Sequence, residues 1–168
     1  VLLIVKKILI ISATNDKNLD LANELIEIVS NMKISTELVS LQDLDLPLFD
    51  FDRIVENNVV ETLIDRISKS SGLIVCSPEY NGGVPPVLSN AITWISVKSK
   101  NWRDAFNGKF ALIATYSGGS GNRFLTAFRS QLEYMGTNVL ARTISVSKNN
   151  PLDKLSVKKI IKSFIDII

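Results

Sequence analysis

Three short runs constrain this chain most: ILII at 8–11, GLIVC at 72–76 and the ALIA inside KFALIATY at 109–116. None carries a charged or amide side chain. Each is too short for a helix and leaves no wet face, so each fits a strand covered on both sides by other elements. Between them lie segments whose apolar residues return every three or four positions. Leu19, Ala22, Leu25, Ile26 and Val29 form one such stripe; Val59, Val60, Leu63, Ile64 and Ile67 form a second. Val157, Ile160, Ile161, Phe164 and Ile168 form another near the end, and helices are also expected over about 87–97 and 123–135. ISTELVSL at 34–41 alternates in part and suits an outer strand, while NVLARTISV at 138–146 reads as the fifth strand. Strands alternating with helices predict an α/β protein: a five-stranded parallel sheet with helices on both faces. The length of 168 residues fits one domain over 1–168, with residues 1–5 as an extra lead-in before the first strand.

Composition narrows the functions open to such a domain. Hydrophobic residues make up 46% and charged residues 21%, which is globular rather than disordered. The net charge of +2 comes with lysines gathered late, at Lys148, Lys154, Lys158, Lys159 and Lys162. That pattern suits a solvated helix face, and no nucleic-acid partner is expected. The chain has one cysteine, Cys76, and no histidine. An internal disulfide, a His/Cys metal site and a histidine-based nucleophilic triad are thereby excluded, and no metal is expected. Cysteine usage is compatible with a cytoplasmic protein. The opening VLLIVKKILIISA is broken by two lysines and falls short of a membrane-spanning length, so no membrane partner is expected.

In an open parallel sheet, ligands sit beyond the carboxyl ends of the strands. Three unusual loops fall there. SATNDKN at 12–18 offers Ser12, Thr14, Asn15 and Asn18 as hydrogen-bonding partners for a phosphate at a helix N-terminus; the equal alternative is ordinary helix capping by Asn15, Asp16 or Asn18. It has no glycine, so it is neither a Walker loop nor a dinucleotide fingerprint. SPEYNGGVPP at 77–86 joins an acid, an aromatic ring, an amide, paired glycines and paired prolines. Such a loop suits the edge and face of a planar heterocycle, with Tyr80 as an aromatic surface. TYSGGSGNR at 115–123 pairs glycines with hydroxyls and could close the other side of a ring site, or be a plain flexible turn. Trp94 and Trp102 read as packing or interface residues, and Cys76 as core.

The segment PEYNGGVPPVLSNAITWIS closely resembles the flavin-ring loop and following helix of the NADPH-dependent FMN reductase family, relatives of the chromate, azo-dye and quinone reductases. DLDLPLFDFD and WRDAFNGKFALIATYSGGSGN are similar to further stretches of that family in the same order, and the likeness covers residues 6–168. The resemblance implies a flavodoxin-like three-layer sandwich with strand order 2-1-3-4-5. It implies FMN as cofactor, with Pro78, Glu79, Tyr80, Asn81 and Gly82 around the isoalloxazine ring and Ser117, Gly118 and Gly119 on its other side. Ser12, Thr14, Asn15, Asn18 and Leu19 would lie at the phosphate end. Where the family has Gly-Ser, an arginine and a further serine, this chain has Ser12-Ala13, Asn15 and Asn18, with Lys17 as the one substitute cation. The resemblance further implies NADPH or NADH as hydride donor to flavin N5, a small-molecule electron acceptor, and no side-chain acid or base as a catalytic residue. It also implies a homodimer or homotetramer, for which Trp94, Trp102 and Phe106 are candidate surface residues. A flavodoxin-like electron carrier, or a flavin-binding protein without reductase activity, is the competing reading.

Overall fold

The computed structural model describes residues 5–168. Apart from Val5, which is exposed, the expected lead-in lies outside the described residues. The strands are β1 (Lys7–Ser12), β2 (Ser35–Ser40), β3 (Gly72–Cys76), β4 (Phe110–Tyr116), β5 (Asn138–Val139) and β6 (Ile144–Val146). The α-helices are α1 (Lys17–Asn31), α2 (Val59–Lys69), α3 (Pro86–Lys98), α4 (Asn122–Tyr134) and α5 (Lys154–Ile167). A single 3₁₀ turn over Glu56–Asn58 leads into α2.

All the pairings are parallel, and the strand order is β2-β1-β3-β4-β5, as the flavodoxin-like expectation has it. Side chains alternate across each central strand, so one strand feeds two cores. Ile8 and Ile10 of β1, Ile74 of β3 and Leu112 of β4 meet Leu25 and Val29 of α1 and Ile161 and Phe164 of α5. Leu9 and Ile11, Leu73 and Val75, and Ala111 and Ile113 face the opposite way, onto α2, α3 and α4. This double burial is the physical reason that ILII and GLIVC contain no polar side chain.

The fifth strand departs from expectation. The step from Ala111 to Ala114 on β4 is matched by the longer step from Val139 to Ile144, so the outer strand carries two extra residues and is split into β5 and β6. Arg129 of α4 fills the break. Its guanidinium donates to the carbonyls of Val139 (3.3 Å), Leu140 (2.7 Å) and Ala141 (3.2 Å), carbonyls that a regular ladder would not leave free.

At the opposite edge, Glu37 on β2 is held between Lys7 and Arg66. The hydrogen bond from Lys7, and then Arg66, outweigh partial burial and hold its carboxyl below the usual range. A carboxylate with a depressed folded pKa stabilises the fold above its unfolded pKa, and that contribution disappears as pH falls through the folded value. Urea unfolding of wild type and Glu37→Gln should therefore differ near neutral pH and converge in acid. A gap that stays constant down to strongly acidic pH would contradict this.

The DLDLPLFDFD segment is pinned to α3. Asn90 accepts from the Phe49 N–H (2.8 Å) and donates to the Pro47 carbonyl (2.9 Å). The Trp94 indole donates to the same carbonyl at 2.8 Å. Trp94 is therefore a packing residue, one of the two readings open to it, at 1% exposure; Phe106 is buried to 3%, so neither stands on the surface the resemblance implied, and Trp102 is half exposed. The burial of Trp94 follows from α3 lying under this loop, a contact no local pattern reveals.

Candidate functional site

β1 and β3 end level, Ser12 opposite Cys76, and β4 runs two residues past Ala114, the partner of Cys76, to Tyr116. The ladder runs one residue further through Ala13 N–H to Cys76 O (2.9 Å) and Ser77 N–H to Ala114 O (3.1 Å). The three loops singled out in the sequence thus leave the sheet side by side at its carboxyl edge. Two further contacts tie them together.

Glu79 makes the first. The loop after β4 enters α4 through Gly121, which has no side chain to cap the helix. Glu79, from the loop after β3, supplies the cap: its carboxylate accepts from the Phe124 N–H at 3.0 Å. A carboxylate at a helix N-terminus also meets the positive end of the helix dipole. The Glu79 N–H in turn donates to Ser117 Oγ (2.9 Å), which shares a hydrogen bond with Thr115 Oγ1 (2.8 Å). No local pattern shows which helix Glu79 caps, because Glu79 and Phe124 belong to different segments.

Between Tyr80 and Gly83 the chain makes a two-residue hairpin, with Tyr80 N–H to Gly83 O (3.2 Å) and Gly83 N–H to Tyr80 O (3.0 Å). Asn81 (φ 50°) and Gly82 (φ 71°) both have left-handed backbone, as the tight mirror-image turn requires and as an Asn-Gly pair favours. Arg123 of α4 lies over Gly82. Pro85 and Pro86 then start α3, with no N–H lost that a helix would have used.

Tyr80 is the second, relating the hairpin to the loop after β1 through proximity, without a hydrogen bond. Its phenol is pushed above its usual pKa by burial and by the nearby Asp16 carboxylate, which would repel a phenolate. Asp16 belongs to the loop after β1 and caps α1. Partial burial opposes its ionisation, but hydrogen bonds from Thr14 and Asn18 prevail and hold it below the ordinary carboxylate range. Asp16 was legible only as one of several possible caps.

Within that loop each candidate has a partner. Ser12 donates to the Thr14 carbonyl (2.7 Å), and Thr14 donates to Asp16 (2.7 Å). Asn15 is fixed toward β2: its N–H donates to Gln42 Oε1 at 3.0 Å, and its side chain pairs with Ser40 and Asp43. Asn18, buried to 1% exposure, reads the backbone of Tyr116 in both directions, at 3.0 and 2.8 Å. Leu19 is half-buried just inside α1. Lys17 points to Asp20 (3.1 Å) on the exposed side of the helix, not into the loop. Cys76 is fully buried, and burial pushes its thiol well above the usual range, away from any thiolate chemistry.

A flavin's ring end finds suitable backbone here. The N–H groups of Asn81, Gly82, Gly118 and Gly119 donate to nothing among the described residues. A Cβ placed on Gly118 or Gly119 would meet nothing within 4 Å, so open space adjoins that loop. Buried Pro78 and Ser117 hold the two loops from beneath. Exposed glycine amides with open space beside them suit a planar ring with hydrogen-bonding edges.

A parallel sheet in this order, with its distinctive loops at the carboxyl ends of β1, β3 and β4, defines a flavodoxin-like protein. Solved structures share the fold. The flavoenzyme NAD(P)H:(acceptor) oxidoreductase FerB from Paracoccus denitrificans superposes with a TM-score of 0.76 at 21% identity, covering 96% of both chains. A flavodoxin from the domain Archaea gives 0.66 at 13%, covering 96% of this chain and 95% of its own. The chain belongs to the NADPH-dependent FMN reductase family, which matches residues 6–151. NADPH as donor and FMN as flavin are the two reactants in that family's description. Among curated relatives, NAD(P)H-dependent FMN reductase LOT6 of Saccharomyces cerevisiae is 28% identical over 141 residues, 77% of this chain and 68% of that protein. A quinone reductase of Escherichia coli (strain K12) is 42% identical over 55 residues, a match that spans 31% of this chain and only 29% of the relative.

Proposed function

We propose that this protein is an NAD(P)H-dependent flavin oxidoreductase that passes reducing equivalents from NADPH or NADH to a small acceptor such as free flavin or a quinone. The observation that carries this is the convergence of the hairpin at 80–83 and the Gly118–Gly119 loop, fastened together by Glu79, around unpaired backbone donors. Pro78, Glu79, Tyr80, Asn81 and Gly82 would hold one side of the ring, and Ser117, Gly118 and Gly119 the other. Ser12, Thr14, Asn15, Asn18 and Leu19 would border the ribityl end. A bound flavin would supply the hydride chemistry, since no amino-acid side chain is a reversible hydride acceptor. The protein's own residues orient the ring through fixed N–H groups and leave its exposed face to donor and acceptor in turn.

Two features extend this reading. Leu48, Phe51 and Ile54 stand 78–85% exposed on the segment pinned to α3, an apolar surface suited to pairing two copies of the chain. Among the described residues no helix is long and apolar enough to cross a membrane. A cytoplasmic setting, where reduced pyridine nucleotides are held, goes with the proposed reaction.

The test combines flavin binding with turnover. Added flavin should show saturable fluorescence quenching, and the loaded protein should oxidise NADPH or NADH in the presence of a quinone or excess flavin. Binding without nucleotide oxidation would favour an electron carrier. No binding of any flavin would overturn the proposal.

A further inference from the structure

The polar side chains of the loop after β1 are all engaged. Ser12 donates to the Thr14 carbonyl, Thr14 to Asp16, Asn15 to Asp43, and Asn18 to the Tyr116 carbonyl. The backbone N–H of Asn15 is taken by Gln42 and that of Asn18 by Asp16, while those of Thr14, Asp16 and Lys17 donate to nothing among the described residues. Lys17, the only cation in the stretch, is paired with Asp20 outside it. Beside the open N–H groups stands a carboxylate. Asp16 is fixed by Thr14 at 2.7 Å and the Asn18 N–H at 3.1 Å, so it cannot swing clear without losing both bonds. An anion seated at the start of α1 would compete with this carboxylate for the same N–H groups and be repelled by it.

We propose that the site takes a flavin by its ring and ribityl chain and accepts riboflavin at least as well as FMN, with Asp16 as the residue that sets this preference. The inference rests on the flavin-binding function proposed above and specifies which flavin that site favours. The cost of the phosphate is electrostatic, so FMN binding should improve as added salt screens the repulsion, while binding of uncharged riboflavin should barely change. The Asp16→Asn variant keeps a side chain that caps helices nearly as well, and Asp16→Ser provides a second capping replacement. Removing one like charge close to a phosphate is expected to tighten FMN binding by roughly five- to tenfold.

Fluorescence titration of the purified protein with riboflavin and with FMN, at low and high salt, is the experiment. The expected result is a Kd for FMN no lower than that for riboflavin in the wild type. In Asp16→Asn and Asp16→Ser, FMN binding should tighten while riboflavin stays within about twofold, since only FMN carries the charge. FMN binding more tightly than riboflavin to the wild type would overturn this inference while leaving the flavin site intact. Equal changes for both flavins in the variants would remove Asp16 from the role. Failure of both flavins to bind would instead overturn the flavin site itself, and this inference with it.

Discussion

A Gly121→Ala variant is expected to lose about 2–4 kcal/mol of stability, through left-handed backbone strain and local overpacking together. Gly121 has φ +65°, a conformation alanine adopts only at a cost. Its missing Cβ matters as much. A methyl group there would stand 2.7 Å from Thr115 Cγ2 and 3.1 Å from both Thr115 Oγ1 and Ser117 Oγ. Thr115 is fully buried on β4, so it cannot retreat toward solvent. Moving Ser117 instead would disturb the chain of hydrogen bonds from Thr115 through Ser117 to the Glu79 N–H. The damage therefore falls on the link between the loops after β3 and β4 as well as on the fold. Urea unfolding should show a lower midpoint, and flavin affinity of the still-folded variant should fall as well. A midpoint within experimental error of wild type would show that this corner is not packed as described.

Replacing Gly82 with valine should act on binding and leave the fold standing. Gly82 is exposed and has φ +71° in a two-residue hairpin, and a β-branched residue is poorly tolerated there. A Cβ would also approach Arg123 Cδ at 3.2 Å, the flexible part of a side chain that can move aside. Strain of about 1–3 kcal/mol is expected in the hairpin. If binding must restore the native turn, the same energy appears as a roughly 5- to 150-fold weaker Kd for flavin. The circular dichroism spectrum should stay near wild type, because no sheet or helix contact depends on this residue. Unchanged flavin affinity would remove the hairpin from the ring site.

The contrast between these glycines shows which part of the site was legible in the chain. Asn81-Gly82 announces its own turn, since the pair's preference for positive φ is local and the hydrogen bonds close between Tyr80 and Gly83. Gly121 announces nothing comparable. Its need for a bare Cα comes from Thr115, a neighbour across a bend, and its helix is capped by Glu79 from another loop.

The same division holds across the molecule. By itself the sequence determined the alternation of elements, because a strand buried on both faces must be apolar at successive positions and a helix on one face must be apolar at every third or fourth. It also marked out the loops after β1, β3 and β4, where polar and glycine-rich residues interrupt those patterns. Tertiary structure alone decided how those loops meet. Arg129 reaching the carbonyls of 139–141, Trp94 folding under Pro47, Asn18 pairing with Tyr116 and Asp16 closing the first loop all join residues distant in the chain or chosen among several local options. Periodicity records only whether a residue faces the interior. Which polar group satisfies which depends on distances that exist only once the sheet has brought the strand ends side by side.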